Sequence, residues 1–191
     1  RARYVKTGRY PYGAAITADG RRGLVSNETD GTVTVVDLAR ARKVKTIAVG
    51  GHLAHPERIV TSGRRAYVAV ADRDAVAVLD LRRLRVVRSL SVMEAAGVGA
   101  NPNGLAVSHD GRRLFVSEGG ADTLSVFALP SLKHLGHVPT ARYPTDVQTT
   151  GGAHPKLLWL AAKGLGTGPN PNGPNPFNSA TLDQTDTPTQ F

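Results

Sequence analysis

The chain has 191 residues, of which 40% are hydrophobic and 20% charged, and its 24 Lys and Arg against 15 Asp and Glu give a formal net charge of +9. That is room for one ordinary domain or a portion of a larger one, and the composition excludes a disordered tail. The absence of cysteine excludes a disulfide framework, a thiolate zinc site and a cysteine nucleophile, while the longest strongly apolar run, Leu157 to Ala162, falls well short of the roughly 20 residues a membrane-spanning helix needs.

Taken in chain order, residues 1 to 7 contain no initiator Met and no apolar core of an export signal. They are expected to form the outer strand of a preceding sheet. Four short strands follow, at Gly13 to Thr17, Leu24 to Ser26, Thr32 to Leu38 and Lys43 to Val49. The third is the clearest, because Thr32-Val33-Thr34-Val35-Val36 is β-branched throughout and such side chains fit a pleated sheet better than a helix. Asp19-Gly20 joins the first two strands with a dipeptide suited to a tight hairpin. From Pro56 the pattern repeats as PERIVTSGRRAYVAVADRDAVAVLDL, with two residues fewer before Gly63-Arg64-Arg65. It returns from Pro102, where residues 102 to 129 match residues 11 to 38 at 12 of 28 ungapped positions. A fourth copy opens at Pro144 and stops after Ala162, and a Gly, Pro and Asn tract with a polar tail fills 163–191.

The opening prolines are 45, 46 and 42 residues apart. A period near 45 with four antiparallel strands per unit matches one blade of a β-propeller. The fold class expected is therefore all-β, with three to four four-stranded blades over residues 1–162, as part of a larger ring of seven blades, and an insertion loop and tail over 163–191.

The repeat of Pro-x-Gly, an apolar strand, Asp-Gly, and Leu-Phe-Val-Ser resembles the YVTN-type (YncE-like) β-propeller repeat of bacterial and archaeal proteins. Pro11, Gly13, Asp19 and Gly20, then Pro102, Gly104, Asp110, Gly111, Phe115 and Val116, and Tyr67-Val68-Ala69 carry the resemblance. The second unit departs from it, with Glu57-Arg58 after its proline. Residues 162–176, AKGLGTGPNPNGPNP, are similar to a loop in proteins that join such a propeller to a phosphoesterase of the alkaline-phosphatase superfamily. This second resemblance implies a bifunctional, exported parent protein, periplasmic or extracellular, whose phosphoesterase part supplies none of the residues here.

Antiparallel strands make the two faces of the ring predictable. The turns after the first and third strands collect Arg21, Arg22, Arg64, Arg65, Arg112 and Arg113, either an anion-binding face for nucleic acid or another polyanion or simply solvated turns. The interblade links and the turns after the second strands make the other face, where ligands commonly sit. Its candidates are Asn27, His52, His55, Asn101, Asn103 and Lys163, with the three asparagines expected at equivalent positions. Glu28, Asp72 and Glu118 are expected nearer the middle of each blade than the axis.

Other residue groups read as structure. Ser108-His109-Asp110 holds the residue types of a hydrolase triad, but neighbours along a strand point to opposite faces, and the slot matches Thr17-Ala18-Asp19 in the first unit. His134 and His137 are expected on opposite faces of an outer strand. Lys163-Gly164-Leu165-Gly166-Thr167-Gly168 follows a strand as a phosphate loop would, but Pro169 and Pro171 bar the helix such a loop needs. No metal site, cofactor or catalytic residue is assigned. The expected role is a non-catalytic module that recognises or scaffolds a protein partner or fused domain. The alternatives are a lactonase-type propeller enzyme and polyanion binding through the arginines.

Overall fold

The computed structural model describes residues 2–92 and 99–163. It is built from four antiparallel sheets laid down in sequence order. The first holds β1 (Pro11–Ile16), β2 (Arg22–Asn27), β3 (Thr32–Asp37) and β4 (Arg42–Ala48). The second holds β5 (Pro56–Ser62), β6 (Arg65–Val70), β7 (Ala75–Asp80) and β8 (Arg85–Ser91), and the third β9 (Pro102–Val107), β10 (Arg113–Glu118), β11 (Thr123–Ala128) and β12 (His134–Pro139). The pair β13 (Pro144–Thr149) and β14 (Leu157–Ala161) begins a fourth. Among the described residues there is no α-helix, only a 3-10 turn at Ala71–Arg73. These are the blades of a partial β-propeller.

The core lies between blades rather than within one. Leu24, Val33 and Val35 of the first blade pack with Ala66, Val68 and Leu79 of the second. Tyr67, Val76 and Val78 on the second blade's other face meet Leu105, Leu114 and Val116 of the third, and Phe115 and Leu124 meet Val147 of the fourth. The middle strands are buried on both faces, which is why β7 reads as an unbroken apolar run, Ala75 to Leu79. Each fully buried Val or Leu contributes about 1.5–3 kcal/mol.

Two irregularities recur with the repeat. Every inner strand bulges just after its proline, at Tyr12-Gly13, Glu57-Arg58, Asn103 and Thr145. Every complete outer strand bulges too, at Val44, Val87 and Leu135. The second bulge overturns the expected facing of His134 and His137. With Leu135 left out of the pairing, the two rings meet edge to face with centroids 4.6 Å apart. The outer strand expected at the start of the chain is also corrected: residues 2–7 form no strand, since no described strand lies alongside to complete the ladder they would need.

Hydrogen bonds tie each blade to the next at the link face. The Leu53 amide donates to the Thr29 carbonyl, the Asn101 amide to Asp74 Oδ1 (2.9 Å) and the Tyr143 amide to Asp122 Oδ1 (2.7 Å). Asp74 and Asp122 are left-handed, with φ of 43° and 58°, in the turns that follow the second strands of their blades.

Candidate functional site

The link face is organised by four equivalent residues, each the one before the opening proline of its blade. Tyr10, His55, Asn101 and Tyr143 are all left-handed, with φ of 54°, 48°, 48° and 56°. Non-glycine residues rarely adopt this conformation, and a cost of about 1–3 kcal/mol is typical where it is held by its surroundings. Here the surroundings are regular: the carbonyls of these four residues accept from the amides of Glu28, Ala71, Gly119 and Ala162. One backbone position thus presents two tyrosines, a histidine and an asparagine. Two are joined, as Asn101 Nδ2 donates to the Tyr143 hydroxyl at 3.1 Å.

The bulges then set the side chains that follow. Gly13 and Gly104 occupy the third position of the motif because nothing larger fits: a Cβ on Gly13 would lie 2.2 Å from the Glu57 carbonyl oxygen, and one on Gly104 2.8 Å from Asp146 Cα. The other two blades carry charge at that position, and Arg58 Nη2 donates to Asp146 Oδ2 across the third blade's inner strand. Arginine and aspartate in blades two and four thus close over glycine in blade three.

Around β5 the electrostatics are acidic. His55 Nδ1 lies 2.8 Å from Asp72 Oδ2. Burial, then the charge of Glu28, push the Glu57 carboxyl up to about 7, with His55 opposing and Asp72 adding to the rise. Glu57, burial and Glu28 in turn hold the Tyr12 phenol above its usual value. The Glu57 carboxyl, half protonated near neutrality, is the kind of group that proton transfer requires. The sequence marked Glu57 and Arg58 only as a departure from the motif. Inner strands also line a hollow of about 460 Å3, bounded by Arg58, Val60, Leu105, His109 and Gln148.

The remaining candidates divide plainly. Asn27 is corrected: it is fully buried, its Oδ1 accepting from the Gly8 amide and its Nδ2 donating to Thr32 and Thr34. The expected equivalence of the asparagines fails, because Asn27 ends a second strand, Asn101 precedes a proline and Asn103 is a bulge residue. Asn103 is spent on structure, donating to the Pro144 carbonyl and accepting from Ser117. His52 is exposed in the link and Lys163 donates its amide to the Arg142 carbonyl; the loop beyond Lys163 lies outside the described residues. Glu118 is fully buried and accepts from Thr123, whereas Glu28 and Asp72 lie within electrostatic reach of Glu57. Asp110 accepts from the Ser108 hydroxyl (2.6 Å) and the Arg112 amide (3.0 Å), repeating Asp19 with Thr17 and Arg21, and His109 takes no part. Among the described residues no three His, Asp or Glu side chains gather to hold a metal, and no helix is long and apolar enough to cross a membrane.

On the opposite face Arg22 and Arg65 are structural. Arg22 Nη1 donates to the Leu81 carbonyl of the second blade and Arg65 Nη1 to the Pro130 carbonyl of the third, so both brace neighbouring blades. Arg21, Arg64, Arg112 and Arg113 stay exposed.

Residues 16–154 match the model of the Cytochrome D1 heme domain family. The chain belongs to that family. No curated protein matches the sequence. Hydrazine synthase of Kuenenia stuttgartiensis is 27% identical with a TM-score of 0.59, over 72% of this chain and 39% of that one. A 6-phosphogluconolactonase candidate from Bacteroides uniformis is 16% identical with a TM-score of 0.69, over 79% and 47%. Dihydro-heme d1 dehydrogenase NirN, solved in complex with DHE, is 20% identical with a TM-score of 0.54, over 66% and 27%. The chain thus spans between a quarter and a half of the length of these structures.

The family name implies haem d1, and the described residues can be tested against it. His55 has the form of a ligand, since a metal-bound imidazole usually has a carboxylate behind its other nitrogen. Its surroundings do not suit a haem. Haem carboxylates beside His55 would meet Glu57, which Glu28 and Asp72 already repel. Nearby guanidiniums that could offset them are committed: Arg9 to Asp30, Arg58 to Asp146 and Arg73 to the Gly50 carbonyl. The surroundings of His55 therefore do not fit haem d1.

Proposed function

We propose that the chain is a propeller module that recognises a ligand or protein partner without converting it, using the link face. One observation carries this reading: Tyr10, His55, Asn101 and Tyr143 share a backbone conformation and differ in chemistry, as expected of a binding surface on a rigid repeat scaffold. Polar side chains near the link face are engaged between blades, as with Ser26, which donates to the Glu57 carbonyl, and Asn103, which donates to the Pro144 carbonyl. The same proposal takes the chain as the propeller portion of an exported phosphoesterase fusion, working in the periplasm or outside the cell. That part rests on the YVTN-type motif and the 162–176 stretch, and the parent reading frame tests it. A metallophosphatase sequence after Phe191 supports the fusion, and any other domain there ends it.

A second reading, a lactonase-type enzyme, is favoured by Glu57, a carboxyl near 7 beside the His55–Asp72 pair. The two are separated by assaying δ-gluconolactone hydrolysis. The recognition reading expects no acceleration over buffer. Turnover that disappears in Glu57→Gln would establish the enzyme instead.

A further inference from the structure

We propose that the face opposite the links carries a groove for a linear polyphosphate chain, running across the first two blades. Three hollows join there. The middle one, about 520 Å3, lies between the blades and is lined by Arg21, Arg22, Arg64 and Arg82 with Thr17 and Asp19. It shares Arg64 and Arg82 with a hollow of about 420 Å3 that adds Asp80 and Arg83. On its other side it shares Arg21 and Arg22 with one of about 440 Å3 that adds Asp37, Arg40 and Arg42. Seven arginines face three aspartates along this track.

The aspartates serve their own turns. Asp19 accepts from Thr17 and the Arg21 amide, Asp37 from the amide and guanidinium of Arg40, and Asp80 from the amides of Arg82 and Arg83. The guanidiniums of Arg21, Arg42, Arg64 and Arg82 have no hydrogen-bond acceptor among the described residues, and all four are exposed. Four guanidinium forks without a hydrogen-bonded acceptor, two of them, Arg21 and Arg42, within electrostatic reach of Asp19 and Asp37, line connected concavities and match tetrahedral oxyanions, which guanidiniums bind bidentately.

The occupant follows from what the linings lack. None of the three hollows has an aromatic side chain or an amide side chain, so nothing stacks a base or a sugar ring or reads a base edge. A thin chain whose only recognisable feature is a succession of phosphates is the chemistry left. The first turn carries paired arginines in all three blades, Arg21-Arg22, Arg64-Arg65 and Arg112-Arg113, and it is the second turn that sets the first two blades apart. The third blade has the same turn, and carries Pro130-Ser131 where the first two carry Ala39-Arg40 and Arg82-Arg83.

The test is titration of the full chain with dye-labelled polyphosphate at several KCl concentrations. Binding that weakens linearly in log K against log salt is expected. Arg64→Ala/Arg82→Ala should lower affinity at least about tenfold, while Arg112→Ala/Arg113→Ala, on the third blade, leaves it unchanged. Circular dichroism checks the sheets. If the alanine pair unfolds, Arg64→Lys/Arg82→Lys decides, since it keeps charge and removes the forks: a loss of about threefold or more supports the groove, and no loss overturns it. Absence of binding at low salt, an equal loss in the third-blade pair, or stronger binding of heparin or single-stranded DNA at matched charge would each overturn the assignment.

Discussion

Glu57 shows how a single side chain can couple the link face to pH. Its carboxyl is raised to about 7 by burial first and by Glu28 and Asp72 after it, whereas an unfolded chain returns it to about 4.3. Between these values the folded state holds the extra proton, so stability is greatest below the lower value and declines as pH rises through the upper one. Over that window the loss should be about 1–2 kcal/mol, after discounting for partial exposure. Urea midpoints measured from pH 4.5 to 8 should therefore fall toward alkali, and Glu57→Gln should flatten the slope and be the more stable protein at pH 7.5. Gly104 is constrained differently. A methyl there would sit 2.3 Å from Ser117 Oγ and 2.8 Å from Asp146 Cα, so Gly104→Ala should cost about 1–3 kcal/mol by denaturant titration. Gly111→Ala, at φ of 70° with open space around it, should cost less, about 1 kcal/mol.

At the scale of strands, the coupling of inner strands runs through charge as well as packing. Arg58 on β5 and Asp146 on β13 pair across β9, and both side chains are partly exposed. A double-mutant cycle with Arg58→Gln and Asp146→Asn should return a coupling of about 0.5–1 kcal/mol that shrinks with salt. The strands themselves were legible in the sequence, because Val33, Val35 and Val36, and Ala75 to Leu79, are buried for the same reason that they read as strand. The bulges were not. A bulge belongs to a pair of strands, and Glu57-Arg58 or Leu135 becomes one only when its partner's register is known. That hidden property is why His134 and His137 meet, and why Glu57 looked like a break in the motif rather than a member of the site. The fate of Asn27 was also out of reach, since its inward turn depends on Gly8, Thr32 and Thr34 lying close enough to satisfy its amide.

For the molecule as a whole, each blade buries its apolar faces against its neighbours, and among the described residues apolar side chains remain exposed on the first and last strands. Tyr12 and Ile16 on β1, and Leu158, Trp159 and Leu160 on β14, are exposed. Exposed apolar residues on unpaired sheets invite association. Sedimentation should show mass rising with concentration, and Leu158→Lys/Leu160→Lys should reduce that rise; a concentration-independent monomer would show that these edges are harmless. The ring-like arrangement was legible because the period near 45 recurs in plain sequence, whereas the two faces acquire their chemistry only when side chains from different blades are set next to each other. The four left-handed residues before the prolines bear on redesign. Because Tyr10, His55, Asn101 and Tyr143 each sit at the end of an identical backbone kink, a combinatorial library could vary all four at once on one chassis. Valine, isoleucine and threonine should be left out of it, since branching at Cβ is disfavoured at positive φ, and so should proline, whose ring fixes φ at about −65°.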